Sequence, residues 1–572
     1  MRYILVPLLF LLSVIQPVLA RRVVVATASA VNSGSWSAGD TIVLKNGTWT
    51  NQSVSLRAFG TESQPIVIMA ETPGEVIFNG SSRVAISGRY VEVNGIYFKD
   101  GTLSGSAVVD FRTSSSNLAE NCRLTNCAIV NYNPALNTVD SKWVSLYGKN
   151  NRVDNCSFEN KTNSGTLLVV WLTTGIVPEH IIENNYFGYR NANLDSNGSE
   201  LNGQEIIRIG DSNTSMQYAN CLVRNNFFDK CNGEIEIISN KSCGNIYSNN
   251  VFYECKGMLT LRHGNDCTVA GNYFIGNGVS NSGGVRIIGE DHKVYNNYFE
   301  NLRGTNFRAG LCIVRGKLNS VLNDYFQVKN AVVVFNTFVN CNQSFCINYN
   351  SSSTYTMPPI GTIVAHNQVY NTSSSNTNVV LAQQSAEMDV TWKNNLMNMG
   401  RYTSITLNAQ EVVTGQNPLM QQVETLIPIM EPQSGSALTN YTTNEHAMVS
   451  VDIRGRERSA SAKLPGASEI NGTINLVMPS KTTVGADFFN KTTAVKPQYS
   501  DLKPLRVKGV HGMLSFESKL DGQVTIHSVA GSMIKSFSIV ANDTLEKQMD
   551  RGLYLVSFHS AVGDNYTQKI IL

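Results

Sequence analysis

Short runs of β-branched and aromatic residues recur along most of the chain, and asparagine punctuates them. The run Val91–Asn94 alternates apolar and polar residues, which is typical of a strand with one buried face. Later copies begin with an asparagine followed by apolar or aromatic residues, at Asn155, Asn185, Asn226, Asn250, Asn272, Asn297, Asn336 and Asn367. The three spacings that start at Asn226 are 24, 22 and 25 residues.

A strand-rich repeat with a period in the low twenties predicts a solenoid. Leucine-rich repeats share this period, but their Leu-x-x-Leu-x-Leu pattern is absent. We therefore predict an all-β chain built on a right-handed parallel β-helix, in which each coil adds short strands. An asparagine can hydrogen-bond the backbone at a corner of each coil, so we interpret the repeated asparagines as structural.

The repeat divides the chain into segments. We predict a β-helix over residues 21–472, closed by the runs Val451–Arg456 and Leu464–Ile470, and an aperiodic linker over residues 473–505. Residues 506–572 alternate with a period of two and predict a small antiparallel β-sandwich. This tail resembles the C-terminal sorting domain of the type IX secretion system, which implies a secretion machinery as partner. An accessory β-domain is the alternative.

The N-terminus predicts export. A basic residue, Arg2, precedes the apolar run Ile4–Ile15, and the segment ends in Val18-Leu19-Ala20. This is the pattern of a signal peptide over residues 1–20. The alternative, a membrane anchor, fits less well because a span needs about 20 apolar residues. We expect a protein that is secreted or held at the bacterial cell surface, without a membrane span.

Composition excludes some functions. Charged residues make up 15% of the 572 residues, with a net charge of +2, against roughly 25% charged residues in ordinary domains. No basic surface for nucleic acid is expected. Eleven cysteines lie between Cys122 and Cys346 without a CxxC motif, which argues against zinc. We interpret most of them as small buried residues, although export would permit a disulfide such as Cys341–Cys346.

Charged residues recur at coil spacing. Strand alternation predicts that Arg208, Glu234, Glu236, Arg262 and Arg286 point outward. The steps from Arg208 through Glu236 and Arg262 to Arg286 are 28, 26 and 24 residues, about one coil each. We therefore predict a ladder of charges about 15 Å long on one open outer face. Two neighbouring carboxylates repel unless a cation lies between them, which suits Ca²⁺.

Three blocks carry a family resemblance: Asn202–Gly210, Asn232–Ser242 and Leu261–Gly264. They resemble polysaccharide lyase family 6, whose alginate lyases and chondroitinase B use a right-handed parallel β-helix. The resemblance spans most of residues 22–470. It implies Lys241 as Brønsted base, Arg262 as Brønsted acid, Asn202, Glu234 and Glu236 as ligands of Ca²⁺, and Arg208, His263 and Arg286 as residues that bind uronate groups.

The implied chemistry is β-elimination of a 4-linked uronate, which removes the C5 proton and expels O4. Ca²⁺ would neutralise the carboxylate and stabilise the charge that develops. Nearby positive charges favour the neutral form of a lysine, which can then act as a base. An arginine gives up a proton reluctantly, so a water polarised by Arg262 remains an alternative donor.

Alternative functions stay open. We expect an alginate lyase of the poly(β-D-mannuronate) type, but a dermatan or chondroitin sulfate lyase would use extra cations, for which Arg308, Arg315 and Lys317 are candidates. An acidic-glycan-binding adhesin on the same fold is the non-catalytic alternative. A pectin-type hydrolase needs paired carboxylates, and the region around Arg262 offers only His263 and Asp266.

Overall fold

The computed structural model describes residues 20–489 and 505–571 with short gaps. The gaps are residues 196, 373–377, 383–387, 399–400, 404, 425, 511–512, 519–520, 529–532, 541–543, 550–552 and 561–564. The predicted signal peptide lies outside the described residues except for Ala20. In the described part of the chain, no helix is both long and apolar enough to span a bilayer.

Three parallel sheets of 14 strands each form the body of the protein. Sheet 1 contains the strands Arg22–Val25, Thr41–Leu44, Ile66–Ala70, Val91–Asn94, Arg123–Thr125, Arg152–Asp154, Ile181–Glu183, Leu222–Arg224, Ile246–Ser248, Thr268–Ala270, Lys293–Tyr295, Val332–Val334, Thr362–Ala365 and Val390–Lys393. Sheet 2 contains Gly47–Thr50, Val76–Gly80, Tyr97–Gly101, Ala128–Val130, Ser157–Glu159, Tyr186–Phe187, Phe227–Asp229, Val251–Tyr253, Tyr273–Ile275, Tyr298–Glu300, Thr337–Val339, Gln368–Tyr370, Asn395–Met397 and Val412–Thr414.

Sheet 3 carries the site described below. Its strands are Ser53–Phe59, Arg83–Arg89, Val109–Asp110, Ala119–Glu120, Val144–Leu146, Leu168–Val170, Ile207–Gly210, Glu236–Lys241, Gly257–His263, Ser282–Ile287, Leu311–Val314, Phe345–Tyr349, Asn378–Ala382 and Arg401–Thr403. Along the chain, successive strands visit sheets 1, 2 and 3 in turn, and each strand pairs in parallel with its counterpart in the next coil. The predicted parallel β-helix is confirmed.

Two internal stacks repeat from coil to coil. The buried asparagines from Asn185 to Asn395 form a ladder, in which each side-chain oxygen accepts the backbone and side-chain N–H groups of the preceding asparagine at 2.9–3.1 Å. Beside it, phenylalanine rings from Phe158 to Phe338 stack with centroids 4.5–5.2 Å apart. The repeated asparagines are therefore structural, as predicted.

Residues beyond the last coil turn back along the outside of sheet 2. Ile427, Ile429, Ile453 and Val484 pack there against outward-facing side chains such as Tyr273. The predicted closing coil, Val451–Arg456 and Leu464–Ile470, thus lies outside the solenoid sheets. The first part of the predicted linker is ordered against the early coils, since the Asp487 amide donates to Asn126 at 2.8 Å and the Ala486 amide to Ser157 at 2.9 Å.

The remaining elements are small. A helix, Ala28–Ser33, covers the first coil, and 3₁₀ turns occupy Ser212–Thr214, Asn306–Arg308 and Ala437–Tyr441. Short strand pairs join Arg190–Asn191 to Cys231–Asn232 and Met420–Gln422 to Met430–Pro432. All eleven cysteines are free and buried, which agrees with their interpretation as small buried residues.

The C-terminal segment forms the predicted antiparallel sandwich. One sheet contains Leu505–Val510, Met513–Ser518 and Thr544–Gln548, and the other contains Gly522–Ser528, Met533–Ile539, Leu553–Ser560 and Asn565–Ile571. Both sheets contribute to one apolar core, with Leu514 and Phe516 from the first and Val524, Ile526 and Val556 from the second.

Candidate functional site

Two irregularities in strand pairing build the site on sheet 3. Between Glu236 and Ile238 the register against the next strand shifts by one residue, so Ile237 is an extra residue. A second shift pairs Asn240 with Leu261 but Lys241 with His263, so Arg262 is extra in its strand. Such bulges redirect side chains at the ends of strands, and here they bracket the strand that ends at Lys241.

Three carboxylates converge at the start of this strand. Oxygens of Glu205, Glu234 and Glu236 all lie within 4.8 Å of one another. Glu234 accepts the amides of Gly203 and Gln204 at 2.7 and 3.1 Å. Glu205 accepts the Thr166 hydroxyl at 2.7 Å. These are hard oxygen donors of the kind that Ca²⁺ prefers.

Burial and the crowding of these three carboxylates raise the pKa of Glu234. Glu234 is 6% exposed, and burial, followed by repulsion from Glu205 and Glu236, raises its pKa to about 8. A buried cation, Arg190, donates to the Glu205 carbonyl at 3.0 Å. Its guanidinium partly offsets the negative charge, although burial lowers the pKa of Arg190 to about 10. The cluster is suited to a divalent cation, which would balance the remaining charge.

Lys241 ends the central strand and faces outward by alternation from Ser239. Its side chain is half-buried. Within the part of the chain that the structure describes, no hydrogen-bond or ion-pair partner holds the amino group. Lys241 therefore lies at the opposite end of this strand from Glu236, next to His263 of the following coil, with its nitrogen available to a ligand.

Arg262 lies on the next coil and shares the outer face with Lys241. Its Nε is 3.8 Å from an oxygen of Glu236, and its guanidinium packs 4.2 Å from the centre of the Tyr325 ring. Tyr325 belongs to a segment closed by an ion pair of 2.8 Å between Lys317 and Asp324. This segment partly covers a face that the sequence predicted to be open.

The remaining predicted residues differ in their environments. Arg286, expected to be exposed, is 6% exposed and forms an ion pair with Glu236. His263 is buried, and burial, with Arg262 and Lys241 adding, lowers its pKa to about 3, so its imidazole is neutral at physiological pH. Arg208 packs 5.1 Å from the ring centre of Trp171, and its buried Nε has no hydrogen-bond partner among the described residues.

The predicted ladder of charges is wrong in register. The row that contains Arg208 continues through Ser239 and Thr260 to Arg286. Glu236 lies three residues before this row and Arg262 two residues after it. The two bulges shift the numbering, so residue counts near one coil length do not imply one row.

The structure changes the predicted set of Ca²⁺ ligands at two residues, because Asn202 is less central than predicted and Glu205 was not predicted. Asn202 is exposed, and its side-chain oxygen accepts the amide of Gly203 at 2.8 Å, the same amide that contacts Glu234. It therefore lies at the edge of the carboxylate cluster. Glu205, which sequence reasoning missed, is buried inside it. Its place within the block Asn202–Gly210 was the available signal.

A second set of possible ligands lies elsewhere. His366, Glu445 and His446 have donor atoms within 4.8 Å of one another. Glu445 already contacts His366 at 3.0 Å and forms an ion pair with Lys393. His180 is a buried core residue whose Nδ1 accepts the Asn151 amide at 3.0 Å, while its Nε2 has no hydrogen-bond partner among the described residues.

Similar proteins share this architecture. The sequence model of the chondroitinase B family matches residues 27–434. The structure of the PL6 family alginate lyase AlyGC has 32% identity and a TM-score of 0.70, with 84% of this chain and 60% of that chain covered. This chain thus spans 60% of the length of that relative.

Two further structures are similar over nearly their whole length. A mannuronic acid specific polysaccharide family 6 lyase from human gut microbiota has 30% identity and a TM-score of 0.61, covering 68% of this chain and 89% of that one. The PL6 lyase Pedsa3628 from Pseudopedobacter saltans has 26% identity and a TM-score of 0.57, covering 67% and 92%. No curated protein sequence matches this chain. With the family match over residues 27–434 and these structural likenesses, the chain belongs to the chondroitinase B family, polysaccharide lyase family 6.

Proposed function

We propose that this protein is a lyase that cleaves alginate by Ca²⁺-assisted β-elimination, with Lys241 as base and Arg262 at the leaving group. One observation carries the proposal. The available amino group of Lys241 and the guanidinium of Arg262 lie on neighbouring coils, and Arg262 reaches to 3.8 Å from Glu236 in the cluster of Glu205, Glu234 and Glu236. A base, a cation and a cluster of hard oxygen ligands are the parts that this reaction needs.

The residues that would hold Ca²⁺ are Glu205, Glu234 and Glu236, with Asn202 at the edge of the cluster. Three carboxylates that converge within 4.8 Å supply several oxygen ligands and a strong negative charge, which fits this ion. When bound, Ca²⁺ would neutralise the uronate carboxylate and so make the C5 proton more acidic.

The protein's own groups would carry out the proton steps. Lys241 Nζ takes the C5 proton, the electron pair forms the C4=C5 double bond, and the C4–O4 bond breaks. The departing O4 accepts a proton from Arg262 or from a water that Arg262 polarises. Neutral His263 and Arg208 would hydrogen-bond the substrate. Arg286 would act mainly through Glu236, because its guanidinium is already paired with that carboxylate.

Contacts of the other cations support alginate over a sulfated polysaccharide. Arg315 is 6% exposed and donates to the carbonyl of Tyr355 at 3.0 Å. Lys317 pairs with Asp324 at 2.8 Å, and Arg308 lies 3.7 Å from Glu200. These groups are engaged within the chain and are poorly placed to select sulfate. The name of the matching family, chondroitinase B, favours dermatan or chondroitin sulfate as the second candidate.

We also propose that the protein is exported. The pattern of residues 1–20 supports a signal peptide. The C-terminal sandwich is compatible with a sorting domain for the type IX secretion system. Pulse labelling of wild-type and truncated chains in a host with that system would test this, since loss of residues 506–572 should then keep the protein from reaching the cell surface or the medium.

The activity is tested with purified protein and four polymers: alginate, polymannuronate, polyguluronate and dermatan sulfate. We expect ultraviolet absorbance from unsaturated uronate ends with alginate and its homopolymers. A chelator should abolish the signal, and added Ca²⁺ should restore it. Cleavage of dermatan sulfate alone would establish the second candidate instead. Binding of a polymer without any new absorbance would identify an adhesin.

A further inference from the structure

A row of side chains leads away from Lys241 along the outer face of sheet 3. The register pairs Asp110 with Ser145, Ser145 with Val169, and Val169 with Arg208. Two residues further along the chain are Arg112, Tyr147 and Trp171, just past the ends of their strands, and Gly210 at the end of its strand. Contacts between Arg112, Tyr147 and Trp171 show that these three side chains form one row. Gly210 pairs with Lys241. The row thus runs from the proposed base toward the N-terminal coils.

The side chains of this row stack on one another. The guanidinium of Arg112 lies 3.8 Å from the Tyr147 ring centre, the rings of Tyr147 and Trp171 are 6.1 Å apart and nearly parallel at 13°, and Arg208 packs 5.1 Å from Trp171. We call Arg112, Tyr147, Trp171 and Arg208 the distal stack. Two arginines therefore flank two aromatic rings. Stacking on a ring can hold a guanidinium in place without an ion pair to a carboxylate.

Both arginines keep their donors for a ligand. Within the described residues, neither Arg112 nor Arg208 forms an ion pair or a side-chain hydrogen bond, and Arg208 Nε is buried without a partner. The nearby acid Asp110 is already paired with Arg83 at 2.6 Å. In a protein with 15% charged residues, two unpaired guanidinium groups held on aromatic rings indicate a site for carboxylates.

The dimensions fit a polyuronate. Coils repeat about every 4.8 Å, so Arg112 lies roughly 19 Å, or four coils, from Lys241. One coil is close to the length of one pyranose unit in a 1,4-linked chain. Gly210 lies between Trp171 and Lys241, and a Cβ at this position would meet the Lys241 carbonyl, so glycine here permits the close approach of the two coils. A chain bound along the row would place a carboxylate near each end of the stack.

We propose that the distal stack extends the binding site away from the bond that is cleaved, from Arg208 one coil from Lys241 to a subsite at Arg112 several sugar units away. Arg112 recognises a carboxylate there, and Tyr147 and Trp171 hold Arg112 and Arg208 in position. This inference rests on the proposed function. It gives the enzyme a preference for polymers and long oligomers over short ones, because only a long chain reaches from Lys241 to Arg112.

The test compares uronate oligomers of increasing length. For the wild type, kcat/KM should rise with length until the chain covers the stack. Arg112→Ala should lower kcat/KM for long oligomers about tenfold, mostly through KM, as expected for loss of one charged hydrogen bond, and should leave a trisaccharide unaffected. Arg112→Lys should restore only part of the loss. Arg89→Ala, which removes an exposed arginine of a neighbouring coil, is the control.

Two results would overturn the proposal. One is unchanged kinetics of Arg112→Ala for every length, and the other is an equal loss for short and long substrates, which would mark a structural effect. Affinity electrophoresis in polyuronate gels separates this inference from the lyase activity, with Lys241→Ala as the background. Retardation that Arg112→Ala abolishes supports the stack even if no cleavage is found, whereas retardation that Arg112→Ala leaves unchanged contradicts it.

Discussion

The asparagine ladder predicts a large and local loss of stability when one member is removed. Asn250 is fully buried, accepts the backbone and side-chain N–H groups of Asn226 at 3.0 Å each, and donates to Val223 and Asn272 at 2.9 and 3.0 Å. Asn250→Ala leaves the buried Asn226 amide unpaired, at about 1–3 kcal/mol, and removes further bonds of about 1 kcal/mol each. We expect a loss of about 3 to 5 kcal/mol.

The adjacent residue provides a matched control. Asn249 is half-buried and has φ = 49°, a conformation that glycine adopts readily. Asn249→Gly removes the hydrogen bonds of the side chain to Asn225 Oδ1 at 2.8 Å and to the Val477 carbonyl at 3.2 Å. Because water can reach both partners, this change should cost only about 1 to 2 kcal/mol. All five tryptophans lie between Trp36 and Trp392, so fluorescence during urea unfolding reports on the solenoid alone. Equal midpoints for Asn250→Ala and Asn249→Gly would refute the assignment of the ladder as the stabilising element.

Three further predictions concern the site and the cysteines. The pKa of Glu234 is raised to about 8 from an ordinary 4.5, so the free energy of unfolding of the metal-free protein should fall as the pH rises from about 5 to 8. Urea titrations should show that Glu234→Gln flattens this decline. Parallel declines in the wild type and the variant would contradict the prediction. Gly210→Ala would place a Cβ 2.3 Å from the Lys241 carbonyl oxygen, so kcat should fall more than about tenfold. Gly271 has a similar positive φ but open space around it, so Gly271→Ala should keep kcat. Equal effects of the two substitutions would refute the clash. Eleven buried free thiols should be inert to a thiol reagent in the native protein and give eleven equivalents in denaturant without reductant, whereas nine would reveal a disulfide.

The fold could be predicted from sequence because every coil repeats the same requirement. A corner needs a side chain that bonds the backbone, and Asn226, Asn250 and Asn272 meet it at nearly constant spacing. The interior needs an apolar residue next to each corner, as Phe228 and Phe252 show. The segment that packs outside sheet 2 has no period, so no pattern indicates its path, and a closing coil was predicted instead.

That candidate residues from three blocks lie near one another could be predicted, but their geometry could not. Lys241 and Arg262 lie on adjacent coils, yet the bulges at Ile237 and Arg262 change the register, and residue counting cannot detect these bulges. Strand alternation predicts that the Arg286 side chain points outward, but it does not show whether other residues bury that side chain, so Arg286 was expected to be exposed. Glu205 precedes its strand, so no alternation pattern marks where its carboxylate points.

The proposed role of Lys241 is tested most directly by removing its amine and following the formation of unsaturated uronate ends in alginate with Ca²⁺. Lys256 is exposed on a neighbouring coil, so Lys256→Ala is the matched control for loss of a lysine. We expect Lys241→Ala to keep the wild-type circular dichroism and melting temperature while its turnover falls below detection, and Lys256→Ala to cleave at the wild-type rate. Turnover by a folded Lys241→Ala variant at a rate near that of Lys256→Ala would contradict the account.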